Sequence, residues 1–148
     1  MIRGEPLRAD IRTRLARLAE RFRGDPRLTA VYLFGSLARG TADALSDVDL
    51  ALLFAPGVER GREQELALDY QVEINRVLGT DEVSCVVLDK APLTLRHEVI
   101  ASGEVLVDND PAARLDFEVR SENLYMDFRP LLVAYDDELL RQLTAPRR

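Results

Sequence analysis

Apolar residues recur along this chain in two rhythms that alternate from end to end. Leu7, Ile11, Leu15, Leu18 and Phe22 follow one another at steps of four, four, three and four, the spacing of one face of a helix. Gly24-Asp25-Pro26 ends that segment. The run LTAVYLF, residues 28 to 34, is short, apolar and rich in β-formers, and reads as a buried strand bounded by Gly35-Ser36. Ser36 to Arg39 is expected to form a brief helical turn stopped by Gly40, and Asp47 to Phe54 a second strand closed by Pro56-Gly57. These two apolar strands are close in sequence and are expected to be neighbours in one sheet.

The second half continues the alternation. Residues 61 to 78 carry Leu66, Tyr70, Ile74 and Val77 at near-helical spacing, with Gly79 placed to cap the end. Glu82 to Leu88 predicts a third strand, Pro92 opens a helix to about Ala101, and Glu104 to Val107 a short fourth strand. Asp110-Pro111 is an N-cap followed by proline, opening a helix that runs to Leu143 with Pro130 as a kink or break. Leu124, Phe128, Leu131, Tyr135, Leu139 and Leu143 keep helical spacing across that proline, and Tyr125, Phe128 and Tyr135 are expected in the core. This order of elements predicts an α/β (α+β) fold, a small mixed sheet covered by helices. One domain over residues 1–148 is expected, with its core at about 28–108 and a C-terminal helical segment at about 110–143.

Composition narrows the chemistry. There is one cysteine, Cys85, and one histidine, so a Cys/His metal cluster and an internal disulfide are excluded, and only hard, oxygen-bound metals remain. Cys85 reads as a small core side chain and His97 as structural or solvent-facing. No apolar run approaches the ~20 residues needed to span a bilayer, and MIRGEPLRAD lacks a signal-peptide core, so no membrane and a cytoplasmic location are expected. The net charge of −6 counts against direct nucleic-acid binding. It conceals an asymmetry: residues 1 to 40 carry nine Arg against four acids, the remainder eleven basic against twenty-two acidic residues. The basic first helix is either a solvated face or a surface for a charged protein partner.

The candidate chemistry lies at two strand ends. Gly35-Ser36 follows directly on a strand and opens a helical turn, so backbone N–H groups and the Ser36 hydroxyl offer an anion site. Ten residues further on, Asp47 and Asp49 stand two apart at the start of the neighbouring strand, on one face of it. Two such carboxylates repel each other unless a divalent cation sits between them. A phosphate cradle beside a Mg²⁺ clamp is the equipment for nucleotidyl transfer.

FGSLARGTADALSDVDLALLF resembles the signature of the minimal nucleotidyltransferases of the DNA polymerase β superfamily, with Ala38-Arg39-Gly40 and Ser46 also fitting. Residues 88 to 107 resemble the segment after that family's third core strand, and 125 to 140 the closing helix of its MntA-type antitoxins. The resemblance implies an ATP-dependent adenylyltransferase antitoxin that silences a partner HEPN-domain RNase toxin by attaching AMP to tyrosine hydroxyls. It implies that Gly35 and Ser36, with Arg39 and Ser46, bind the nucleotide, and that Asp47 and Asp49 hold Mg²⁺. One departure stands out: where the family has a third carboxylate on the next strand, this chain has Ser84. Glu82, two residues back on the same strand face, is the candidate substitute, with Asp81 and Asp89 flanking the strand. Two other readings stay open, an antitoxin that acts by binding alone and a nucleotidyltransferase of cationic, aminoglycoside-like small molecules.

Overall fold

The structure is a computed structural model that describes residues 10–42 and 47–144; Leu7 and Ser46 lie outside the described residues. The first apolar stripe forms helix α1 (Ile11–Phe22), burying Ile11, Leu15, Leu18 and Phe22. Strand β1 (Leu28–Phe34) follows, then a single helical turn α2 (Gly35–Arg39) and strand β2 (Val48–Phe54). Helix α3 (Glu63–Leu78) ends at Gly79, which adopts a left-handed conformation and donates its N–H to the Asn75 carbonyl at 2.9 Å. Strand β3 (Val83–Val87), a 3₁₀ turn (Leu88–Lys90), helix α4 (Leu93–Ser102), strand β4 (Glu104–Asp108) and helix α5 (Pro111–Thr144) complete the order.

The sheet runs β3-β2-β1-β4. β1 pairs antiparallel with both β2 and β4, whereas β2 and β3 are parallel, because α3 carries the chain back across one face between them. Both faces are covered, which is why β1 is buried along its whole length with no polar alternation. Val31, Leu33, Leu50 and Leu52 point towards α1 and α3, with Leu18, Ile74 and Leu78 among the residues packed on them. Ala30, Tyr32, Phe34, Ala51 and Leu53 point the other way, against Val99 of α4 and Phe117 of α5.

Polar contacts fasten these layers. The Asn109 amide donates to the carbonyls of Phe22, Asp25 and Leu28, tying the turn after α1 to the start of α5. The buried Tyr32 hydroxyl donates to Glu118 at 3.0 Å, and Arg114 bridges Glu118 and Asp108. Burial and the Glu118 charge both push the Tyr32 phenol up, so it stays a neutral donor. Three arginines of α1 find carboxylates within the chain, Arg12 pairing with Glu104, Arg14 with Asp10 and Arg21 with Glu73, and Arg23 just beyond the helix pairs with Glu20.

Helix α5 departs from expectation in two respects. It runs on past Pro130 for its full 34 residues, where a break was one of the expected outcomes. A proline there removes one N–H donor, and at this exposed site water can satisfy the carbonyl left over. Its apolar row is also not core: Phe128 is 46% and Tyr135 68% exposed, and Leu124, Leu131, Leu139 and Leu143 are exposed with them. Ser121 is the last buried residue of the helix, so helical spacing identifies one apolar face, and none of the described residues covers it. Tyr125 is half-buried and stacks on His97, ring centroids 3.9 Å apart, while His97 Nδ1 lies 3.0 Å from Glu122.

Candidate active site

The end of β1 and the beginning of β2 are brought side by side by their antiparallel register, which sets Phe34 opposite Asp49. The chain must leave β1 sharply here, and Gly35 does so with φ of +75°. A second constraint acts on the same residue. A Cβ built on Gly35 falls 2.2 Å from Asp49 Oδ2, so only glycine lets the backbone come this close to the carboxylate. α2 then closes in one turn, ended by Gly40 at φ of +74°, with the Thr41 N–H donating to the Ser36 carbonyl at 2.9 Å. Arg12 of α1 pins this turn: one Nη donates to the Leu37 carbonyl at 3.0 Å while the other holds Glu104 of β4 at 2.7 Å. The half-buried Ser36 hydroxyl makes no hydrogen bond to any described residue.

Asp49 lies on the sheet face that also carries Ala51 and Leu53, the face covered by α4 and α5. Asp47 precedes β2 by one residue and is exposed, so the strand begins one residue later than expected. Burial, then the neighbouring Asp47 charge, then that of Glu98 push the Asp49 carboxyl above the usual range, and Arg39 acts in the opposite direction. The Asp47 charge thus acts on Asp49, and the two carboxylates are hard oxygen donors of the type a divalent cation takes. This donor set, and the close glycine backbone beside it, fit a Mg²⁺-bound polyphosphate.

Glu98 is the residue that sequence reasoning missed. It lies in α4, on the covered face, and accepts from Arg39 Nη1 at 3.2 Å. Nothing in the Arg96-His97-Glu98 run marks it out; only the packing of α4 over the strand ends brings it to Asp49. Arg39 is thus engaged with a carboxylate at this site, and its side chain is 45% exposed.

The parallel register of β2 and β3 pairs Asp49 with Ser84, so the serine occupies the strand position beside the carboxylate and is exposed there. Glu82 stands at the same end of β3, its carbonyl accepting from the Val48 N–H at 3.0 Å and its own N–H donating to Thr80 Oγ1 at 3.1 Å. Asp89 lies beyond the other end of β3, in the 3₁₀ turn, and is separated from Asp49 by the length of the strand. Among the described residues no three acidic, histidine or cysteine side chains gather as a ready metal cluster. Cys85 points to the opposite face and packs against the α1/α3 core, where burial pushes its thiol up to about 12. No described helix is long and apolar enough to cross a membrane.

Comparison with known proteins bears directly on this geometry. Residues 16–112 match the family described as Polymerase beta, Nucleotidyltransferase. Protein adenylyltransferase MntA of Shewanella oneidensis is 29% identical over 120 residues, covering 81% of this chain and 82% of that protein. A solved toxin–antitoxin structure with AMP-PNP superposes with a TM-score of 0.61 at 27% identity, over 88% of this chain and 97% of its own. A tri-AMPylated Shewanella oneidensis HEPN toxin in complex with MNT antitoxin gives 0.62 at 23% identity, over 88% and 98%, a likeness of fold. The strand-end glycine, the paired aspartates and the match across both strands lead to one conclusion: the chain belongs to the polymerase β nucleotidyltransferase family.

Proposed function

We propose that this protein is a Mg²⁺-dependent adenylyltransferase antitoxin that moves AMP from ATP to a tyrosine hydroxyl of a partner HEPN toxin in the cytoplasm. The observation that carries the reading is the Asp47/Asp49 pair set against the Gly35-Ser36 bend. In this reading Gly35 and Ser36 present backbone N–H groups and a free hydroxyl to the phosphates, and the family resemblance assigns Ser46 to the nucleotide site as well. Arg39 leaves its carboxylate partner for the triphosphate, a fork of donors matched to phosphate oxygens. Asp47 and Asp49 would hold the metal, with Glu82 a candidate third ligand from the neighbouring strand. That metal supplies charge neutralisation along the triphosphate and lowers the acceptor hydroxyl's pKa. The tyrosine oxygen bonds to the α-phosphorus as the bond to the bridging oxygen breaks; pyrophosphate leaves, and the hydroxyl proton passes to a base or to water. Incubation with ATP, Mg²⁺ and the toxin should raise the toxin's intact mass by whole AMP increments. Asp47→Asn and Asp49→Asn should abolish the increment while the two proteins still co-elute; an undiminished increment rejects the assignment.

A second reading has its own observation. The exposed row Leu124, Phe128, Leu131, Tyr135, Leu139 and Leu143 on α5 is an apolar surface that a partner would cover. On that reading the toxin is silenced by contact, and Leu131→Asp with Tyr135→Asp abolishes silencing although the sheet folds normally. Neutralisation in nucleotide-free buffer supports contact; strict dependence on ATP supports modification.

A further inference from the structure

Three observations converge on α4. The strand position beside Asp49, where the register offers a third carboxylate its place, holds the hydroxyl of Ser84. α4 lies over that same face, with Val99 buried against it and Leu95 and Ile100 packed alongside. Glu98 sits on this helix with its carboxylate 3.2 Å from Arg39, the cation one turn after Ser36. We infer that Glu98 is the third acidic side chain of this site, taking the part the strand leaves to Ser84, and that Arg39 restrains it until a polyphosphate draws the guanidinium away. The inference rests on the nucleotidyltransferase reading above and deepens it.

The physics of the exchange favours the ligand. Arg39 and Glu98 form a pair whose side chains are 45% and 46% exposed, and such solvent-screened pairs hold only weakly. A triphosphate brings several negative charges and bidentate oxygens to the same guanidinium, a stronger match than one carboxylate. Once released, Glu98 has a flexible side chain on a helix already packed against the sheet.

The test is Mn²⁺ binding followed by electron paramagnetic resonance on the full chain, with and without a non-hydrolysable ATP analogue. With the analogue, Glu98→Gln should weaken Mn²⁺ binding by about tenfold, the scale on which loss of a site-supporting group acts. Without it, Arg39→Gln should tighten Mn²⁺ binding by freeing Glu98, and Arg39→Gln combined with Glu98→Gln should cancel that gain. Circular dichroism on each variant establishes that the fold is intact, as the exposure of both side chains leads one to expect. Mn²⁺ binding unchanged by Glu98→Gln but lost in Asp47→Asn overturns the role of Glu98 and leaves the metal site standing. Binding lost in Glu82→Gln instead moves the third ligand to β3 and likewise overturns it. If Asp47→Asn has no effect on Mn²⁺ binding, both the inference and the reading beneath it fail.

Discussion

Gly35 and Asp49 stand so close that one methyl group on the glycine would collide with the carboxylate, at 2.2 Å from Oδ2. The glycine also has a left-handed backbone, so a side chain there is strained as well as crowded. Gly35→Ala should therefore displace Asp49 and reopen the strand-end bend. The expected outcome is loss of nucleotide binding of at least about tenfold by titration calorimetry and destabilisation of about 1–3 kcal/mol. Retention of full nucleotide affinity would dissociate the bend from the site.

Ser84 is the neighbour of Asp49 across the parallel register and is exposed, so a larger acidic side chain fits there without disturbing the core. Ser84→Asp places a third like charge beside Asp47 and Asp49. Without metal it should lower the melting temperature, because the added repulsion has no partner. With Mg²⁺ it should gain more thermal stability than the wild type, since ligands that bind only the native state stabilise it in proportion to affinity. Equal Mg²⁺-induced shifts in the two proteins would mean that β3 does not face the cation.

Asp25 offers a pH signature remote from the site. Burial alone would raise its carboxyl, yet the hydrogen bonds from Tyr70 and from the Arg27 backbone and side chain prevail and hold it below the usual 3.8. A depressed native pKa means that the unfolded chain binds the proton more readily. This stabilisation is complete above the ordinary aspartate range and is lost as the pH falls from about 3.8 through the lowered native value. Tyr70→Phe should cost about 1–2 kcal/mol at neutral pH and flatten the acid limb of the denaturation profile. An acid limb identical to that of the wild type would show that this pair does not contribute.

Cys85 should be inert in the native protein. With its thiol pushed up to about 12 by burial, only about one molecule in ten thousand carries a thiolate at pH 8. Iodoacetamide labelling is expected to be negligible until denaturant is added and then rapid. Prompt labelling of the folded chain would place the thiol in solvent and contradict its packing against the α1/α3 core.

Much of this protein is written in local signals. The helices and strands follow from apolar periodicity and from punctuation at Gly24-Asp25-Pro26, Gly40, Pro56-Gly57, Gly79 and Asp110-Pro111. The Asp110 cap is an example, its Oδ1 accepting the Ala113 N–H at 3.1 Å, because a capping interaction spans only three residues. The paired aspartates after Gly35-Ser36 were equally legible as residue types at a fixed spacing, although Asp47 stands one residue before β2 and not within it. Other features had no local signal. Periodicity marked the apolar row of α5 but not whether anything covers it, so Phe128 and Tyr135, expected in the core, lie in solvent. Ser84 meets Asp49 only through a parallel register set by the length and docking of α3. Glu98 reaches Arg39 across 59 residues of sequence, a contact that exists because α4 packs against the face where β1 and β2 end. Residue type and spacing determined which groups can carry the chemistry; which of them share a charge environment was decided by the crossing of distant elements, where burial and register act together.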